Sequence, residues 1–175
     1  MGIGQVYQKF ASSACSMVRG NRLCSGTMSN ADTAAELFKS CNCAQAVLGS
    51  LGPAAGLEPS ECFRVAAAFG GGMARMGLVC GAVTGGMMVL GLRHGDSSIA
   101  QPGPRAEFYA KVQDFSARFT RRHGSTVCRD LIRCDLATPE GQKSFHDQGM
   151  HQGICTELVR SAVEILDAMA GRENA

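Results

Sequence analysis

No Cys-x-x-Cys pair occurs in the 175 residues, which leaves out the zinc-ribbon and thioredoxin-type sites. Cys-x-x-Cys-His is missing too, so covalent haem has no attachment motif. Basic runs are confined to Arg121-Arg122, and a formal net charge of +2 gives no electrostatic footprint for nucleic acid or an anionic membrane. The longest apolar stretch, residues 78–92, is short for a membrane span and is followed by Arg93 and His94, so it reads as a buried helix. The glycine-rich stretch at residues 70–77 lacks the Gly-Lys-Ser/Thr ending of a phosphate loop, and no strand precedes it, so no nucleotide is assigned. Alternating strand patterns, low-complexity tracts and internal repeats are likewise absent.

Cysteine and glycine are abundant instead. Nine cysteines, an odd number, with no apolar leader at the N-terminus, place the chain in a reducing cytoplasm. There cysteine serves metal binding, redox chemistry or packing rather than structural disulfides. The 22 glycines exceed ordinary usage of about 7% and call for a local reason. If residues 77–92 are helical, Gly77, Gly81 and Gly85 line one face and leave a groove for another helix or a cofactor. Cys80 then sits near a helix start, where exposed amides and the dipole lower a thiol pKa.

Periodicity predicts an all-α fold, a compact multi-helix bundle with a glycine-rich central helix. Residues 1–27, with Cys15 and Cys24, read as an N-terminal extension, either disordered or translated from an over-long start, and residues 28–175 as the cysteine-containing domain. A helix over residues 31–51 carries Cys41 on its main apolar stripe and Cys43 on the opposite edge. Further helices are expected over 60–69, from 77 to a left-handed cap at Gly95, along the stripe of Phe108, Val112, Phe115 and Phe119 to a cap at Gly124, over 127–133, from Thr138-Pro139, and over 153–170. Residues 96–103 read as a polar loop. His146 and His151, five apart, are poorly spaced for a metal pair. Met73, Met76, Met87 and Met88 read as core, and Arg75 as a solvated arginine.

The segments Asn42-Cys43-Ala44-Gln45-Ala46-Val47, Gly71-Gly72-Met73, Cys80-Gly81-Ala82-Val83-Thr84-Gly85 and Cys128-Arg129-Asp130-Leu131, with Cys155 near the start of the last helix, resemble the C_GCAxxG_C_C family of small redox-active proteins. The resemblance covers about residues 31–166. It implies that Cys43, Cys80, Cys128 and Cys155 are the family's four cysteines and the redox or metal-ligating residues, with Gly81 and Gly85 beside any cofactor. Cys15, Cys24, Cys41, Cys62 and Cys134 are then extras, and Cys41, Cys62 and Cys134 are expected to pack. Four converging thiolates match an iron–sulfur cluster or tetrahedral zinc; two within disulfide reach make a reversible dithiol. A similar cysteine-bearing module accompanies a two-iron cluster in split-Soret cytochromes, so iron–sulfur ranks ahead of zinc. The partners implied are a redox protein and, in one arrangement, a second copy of the chain; nucleic acid and membrane insertion are not. The alternative is a non-catalytic metal-binding or protein-interaction helical module.

Overall fold

The computed structural model describes residues 28–173, and the expectations for residues 1–27 lie outside the described residues. Eight α-helices make up the described part: α1 Asn30–Phe38, α2 Cys43–Leu51, α3 Pro59–Val65, α4 Gly81–His94, α5 Pro102–His123, α6 Cys128–Ile132, α7 Pro139–Asp147 and α8 Thr156–Glu173. No strand occurs among the described residues beyond one isolated bridge, so the all-α expectation holds.

The core is the space between α2, α4, α5 and α8. Leu48, Leu51, Val83, Val89, Leu90, Phe115, Phe119, Leu158, Val163 and Leu166 are fully buried there. Each such side chain stabilises the fold by about 1.5–3 kcal/mol through removal of apolar surface from water. α4 lies closest to α2 because its facing positions are glycines. A Cβ on Gly85 would stand 2.8 Å from the Ala44 carbonyl oxygen and 3.0 Å from Val47 Cβ. Gly86, one position round the helix, leaves the seat taken by the Phe115 ring.

Two departures from the sequence reading lie beside cysteines. The expected helix over 31–51 is broken after Phe38, and α2 starts afresh at Cys43. Asn42 causes the restart through a reciprocal capping box. Its side chain accepts from the Gln45 amide at 3.0 Å, and Gln45 Oε1 accepts from the Asn42 amide at 3.1 Å. Two donors that a continuous helix would have satisfied with carbonyls are satisfied by side chains instead. The Asn42 side-chain Nδ2 also donates to Ala67 O at 3.0 Å, tying the new helix start to the 3-10 turn Ala67–Phe69 that follows α3. Asn42→Ala is therefore expected to lower stability by about 1–2 kcal/mol, read from the urea midpoint, whereas loss of a merely solvated side chain would leave it unmoved.

The glycine-rich helix starts four residues later than expected, at Gly81, so Gly77 is not on its face. Gly77 has φ +71° and belongs to a turn described below. At the other end Gly95 has φ −94° and is not the left-handed cap expected, while Gly124, with φ +84°, is one. The polar loop over 96–103 is shorter than expected, because Ser97–Ala100 forms a 3-10 turn and α5 starts at Pro102. A π-helical turn, His151–Cys155, precedes α8, with Gly153 out of helical geometry (φ −88°, ψ −110°).

Candidate functional site

Cys43 is the first residue of α2, where amide groups without helical partners project toward its sulfur. Backbone N–H groups of Gly71, Ala44 and Cys43 itself donate to it. The Cys80 thiol also donates to it, and this is the largest influence on the Cys43 thiol. Together these donors outweigh burial and bring the Cys43 thiol down to about 7. Cys80 moves the other way, well above the ordinary value, because it holds the shared proton for Cys43, is buried, and faces the charge on Cys43 and Cys128. The sequence reading put the lowered thiol at Cys80. Cys80 does stand at a helix start, as the residue before Gly81, but its sulfur is the donor of the pair.

Gly81 makes the pair possible. A Cβ there would lie 2.3 Å from Cys43 Sγ and 2.8 Å from the Phe69 carbonyl oxygen. The space released by the missing side chain is filled by sulfur.

Gly71 is aimed at Cys43 by an uncommon backbone. Residues 71–75 all have positive φ: Gly71 +62°, Gly72 +67°, Met73 +62°, Ala74 +49° and Arg75 +67°. This is more than one turn of left-handed helix. Each of its three non-glycine residues costs about 1–2 kcal/mol relative to ordinary backbone. The turn is held by Ala74 N–H to Ala68 O (2.8 Å), Arg75 N–H to Gly70 O (3.2 Å) and Leu78 N–H to Gly72 O (3.0 Å). Glycine is required at position 72, where a Cβ would meet Cys128 Cβ at 2.7 Å and Leu78 N at 2.7 Å. Strain of this size gathers where a site needs a particular donor placed. Ala74 is exposed, so Ala74→Gly is expected to raise stability by about 0.5–1 kcal/mol, a gain in thermal midpoint with no new contact. A fall in the midpoint would show that the turn is not left-handed in solution.

Cys128 is brought in by a short ladder. Val79 bridges Val127, Cys80 N–H donates to Thr126 O at 2.8 Å, and Cys128 N–H donates to Leu78 O at 2.6 Å. The two cysteines thus follow their bridging valines on facing segments. Cys155 ends the π-helical turn, and its thiol responds to charge on Cys43, Cys128 and Cys134. Burial pushes both Cys128 and Cys155 up to about 12, with neighbouring sulfur charge adding to it. Contacts at Gly81 and Gly72 and the Val79–Val127 bridge thus gather Cys43, Cys80 and Cys128 around the glycine turn, and all seven described cysteines are free thiols.

The other cysteines differ among themselves. Cys62 is fully buried in the core, as packing requires. Cys41 is half-buried, donates to Leu37 O at 3.1 Å and is pushed up to about 12 by burial and then by Cys43. Cys134 is half-buried and contacts Met150 Sδ at 4.0 Å. Arg75 donates to Gln142 Oε1 at 3.0 Å and stays exposed, as expected. His151 stacks on Phe38 with ring centroids 4.1 Å apart. The surface groove beside that stack, lined by Asp32, Lys39, Thr156 and Arg160, includes no cysteine.

A cluster or zinc ion would need three or four sulfurs turned toward one point. Among the described residues no three His, Cys, Asp or Glu side chains are grouped so as to hold a metal ion. The gap at Gly81 is closed by Cys43 itself and that at Gly72 by Cys128. The donor set in this arrangement does not fit the group. Gly81 and Gly85, expected beside a cofactor, face α2. Nor is any helix among the described residues long and apolar enough to cross a membrane.

The motif that sequence reading missed was the capping box. Asn42 and Gln45, three apart, already mark Cys43 as the first residue of a helix.

Comparison with curated proteins and with solved structures returned no match. Comparison with family models matched residues 41–169, most of the chain and all four of Cys43, Cys80, Cys128 and Cys155. A half-buried cysteine, Cys43, packed against Gly81 beside Cys80 and below a strained glycine turn is thus carried by a chain that belongs to the C_GCAxxG_C_C family, described as "Putative redox-active protein (C_GCAxxG_C_C)".

Proposed function

We infer that this redox-active protein works by thiol–disulfide exchange, with Cys43 as the nucleophile and Cys80 as the resolving thiol. The observation that carries the reading is the seat of Cys43 Sγ in the space left by Gly81, the residue after Cys80, and the opposed displacement of the two thiols, Cys43 down and Cys80 up, accords with it. The Cys43 thiolate attacks one sulfur of a partner's disulfide; a Cys43–partner bond forms, the partner's S–S bond breaks, and the departing sulfur takes a proton. Cys43 then no longer carries charge. The two influences from Cys43 that hold Cys80 protonated, its hydrogen bond and its charge, disappear together, so Cys80 can ionise and attack Cys43. That step forms the Cys43–Cys80 disulfide and frees the partner's second thiol. The partner is reduced by two electrons and the pair is oxidised by two.

The partner is a protein. Met76, Leu78 and Val127 are 51%, 49% and 37% exposed and border the glycine turn and the valine bridge that hold the pair. Free thiols of this kind suit a reducing cytoplasm. Counting thiols on the anaerobically purified chain before and after one equivalent of a small disulfide, with peptide mapping, tests the reading. Loss of two thiols as a Cys43–Cys80 link is expected. Iron and sulfide in stoichiometric amount, with no such link, would replace the dithiol reading with a cluster.

A further inference from the structure

We propose that Gln142 of α7 is a positioning residue for Cys43: through Arg75 it holds the left-handed glycine turn in place over the sulfur. The proposal rests on the dithiol reading above. Met73, Ala74 and Arg75 adopt the backbone of that turn only at a cost, and strained backbone persists where its surroundings over-determine it. One stretch of chain, residues 135–142, supplies that support at both ends of the turn. Arg75 Nη1 donates to Gln142 Oε1 at 3.0 Å, and Gln142 Nε2 donates to Leu136 O at 2.9 Å. With its oxygen and its nitrogen both engaged, the Gln142 amide is fixed in one orientation between the turn and the chain leading into α7. At the far end Arg129 lies over Gly77, its Nε 3.0 Å from where a Cβ would stand. Its Nη2 reaches Met76 O at 3.3 Å and Asp135 Oδ1 at 3.1 Å. The support is itself anchored, because Gly141 packs on the Asp135 backbone with no room for a Cβ and Thr138 Oγ1 donates to Asp135 O at 3.0 Å.

The part of the turn so held is the part nearest Cys43. Arg75 Cα and Cγ lie 3.1 and 3.2 Å from the Cβ position of Gly71, so the arginine stem sits on the residue whose N–H reaches the sulfur. On one side of Gly71, the Cβ position of Gly70 is 2.6 Å from Cβ of Asn42, the residue before Cys43. On the other, that of Gly72 is 2.7 Å from Cys128 Cβ. A turn seated this closely carries Gly71 with it, so loss of the Arg75 anchor moves the donor and not only the arginine. A hydrogen bond weakens steeply once its distance and angle leave the favoured range.

The test follows iodoacetamide labelling of Cys43 in the full chain against pH, read by peptide mass spectrometry, with the urea midpoint measured alongside. Gln142→Ala and Arg75→Ala are expected to raise the Cys43 titration midpoint by about one pH unit by weakening one donor to the thiolate. Gln142→Ala leaves the Arg75 charge in place, and Cys41, Cys80, Cys128 and Cys155, the titratable groups that respond to Cys43, are unaltered in every variant. Gln142→Glu keeps an acceptor for Arg75 and should hold the midpoint where the unaltered chain has it. Arg122→Ala, which loses contacts to Ser161 and Glu164 between α5 and α8 instead, should lower the urea midpoint and leave the titration alone. A Cys43 midpoint near 7 that stays put in Gln142→Ala, or that rises equally in Gln142→Glu, overturns the positioning role and spares the dithiol reading. A midpoint near the ordinary value of 9.0 in the unaltered chain overturns both.

Discussion

At pH 7, Cys43 is expected to react with a small disulfide probe about five to ten times faster than an ordinary cysteine, with a titration midpoint near 7. A thiol at about 7 is about half ionised there, against about 1% for one at the ordinary value of 9.0. The roughly fiftyfold gain in thiolate is offset about six- to tenfold, because nucleophilicity falls with pKa along a slope of about 0.4–0.5. The rate should fall as pH drops below 7, since protonation removes the attacking species, and level off above it. Cys41, Cys128 and Cys155 lie near 12 and Cys62 near 11, so they stay protonated and silent over this range.

Two variants separate the donors. Cys80→Ala removes the largest influence lowering Cys43 and should move the midpoint up toward the ordinary value. Cys80→Ser keeps an O–H donor and should hold it near 7, while abolishing the intramolecular disulfide. Equal midpoints in the two variants would show that the Cys80 hydrogen bond does not set the reactivity. The backbone donors Gly71 and Ala44 would then carry it alone.

Gly81→Ala is the second large effect. The new methyl group would need the place of Cys43 Sγ, 2.3 Å away, and would press on the Phe69 carbonyl at 2.8 Å, which is backbone and has little room to yield. A loss of about 3 kcal/mol is expected from the urea midpoint, together with a displaced Cys43 titration. Gly91→Ala in the same helix is the control. Nothing lies within 4 Å of its added Cβ, and alanine there should stabilise by about 0.5–1 kcal/mol through helix propensity. If Gly81→Ala were as stable as Gly91→Ala, the close approach of α2 and α4 at the cysteine pair would be wrong.

Much of the helical content was legible because apolar residues repeat at helical spacing. The stripe ending in Phe115 and Phe119, the start at Thr138-Pro139 and the last helix follow that pattern. Both misread starts have one origin. An apolar period runs on through Asn42 and through Gly77, whereas the chain stops at each for a local reason, a capping box at one and a left-handed turn at the other. Periodicity reports which face is buried; it does not report where backbone donors run out of partners.

By itself the sequence determined an all-α chain, its family and the need for small residues beside Cys80, since these follow from residue type, order and spacing. Only the tertiary structure distinguished the two thiols, one displaced downward and the other upward. That difference depends on how many N–H and S–H donors surround each thiol, and the donors to Cys43 come from α2, from a left-handed turn some thirty residues away and from Cys80. Hydrogen bonds between segments so distant along the chain exist only once α4 has closed on α2 through Gly81 and Gly85.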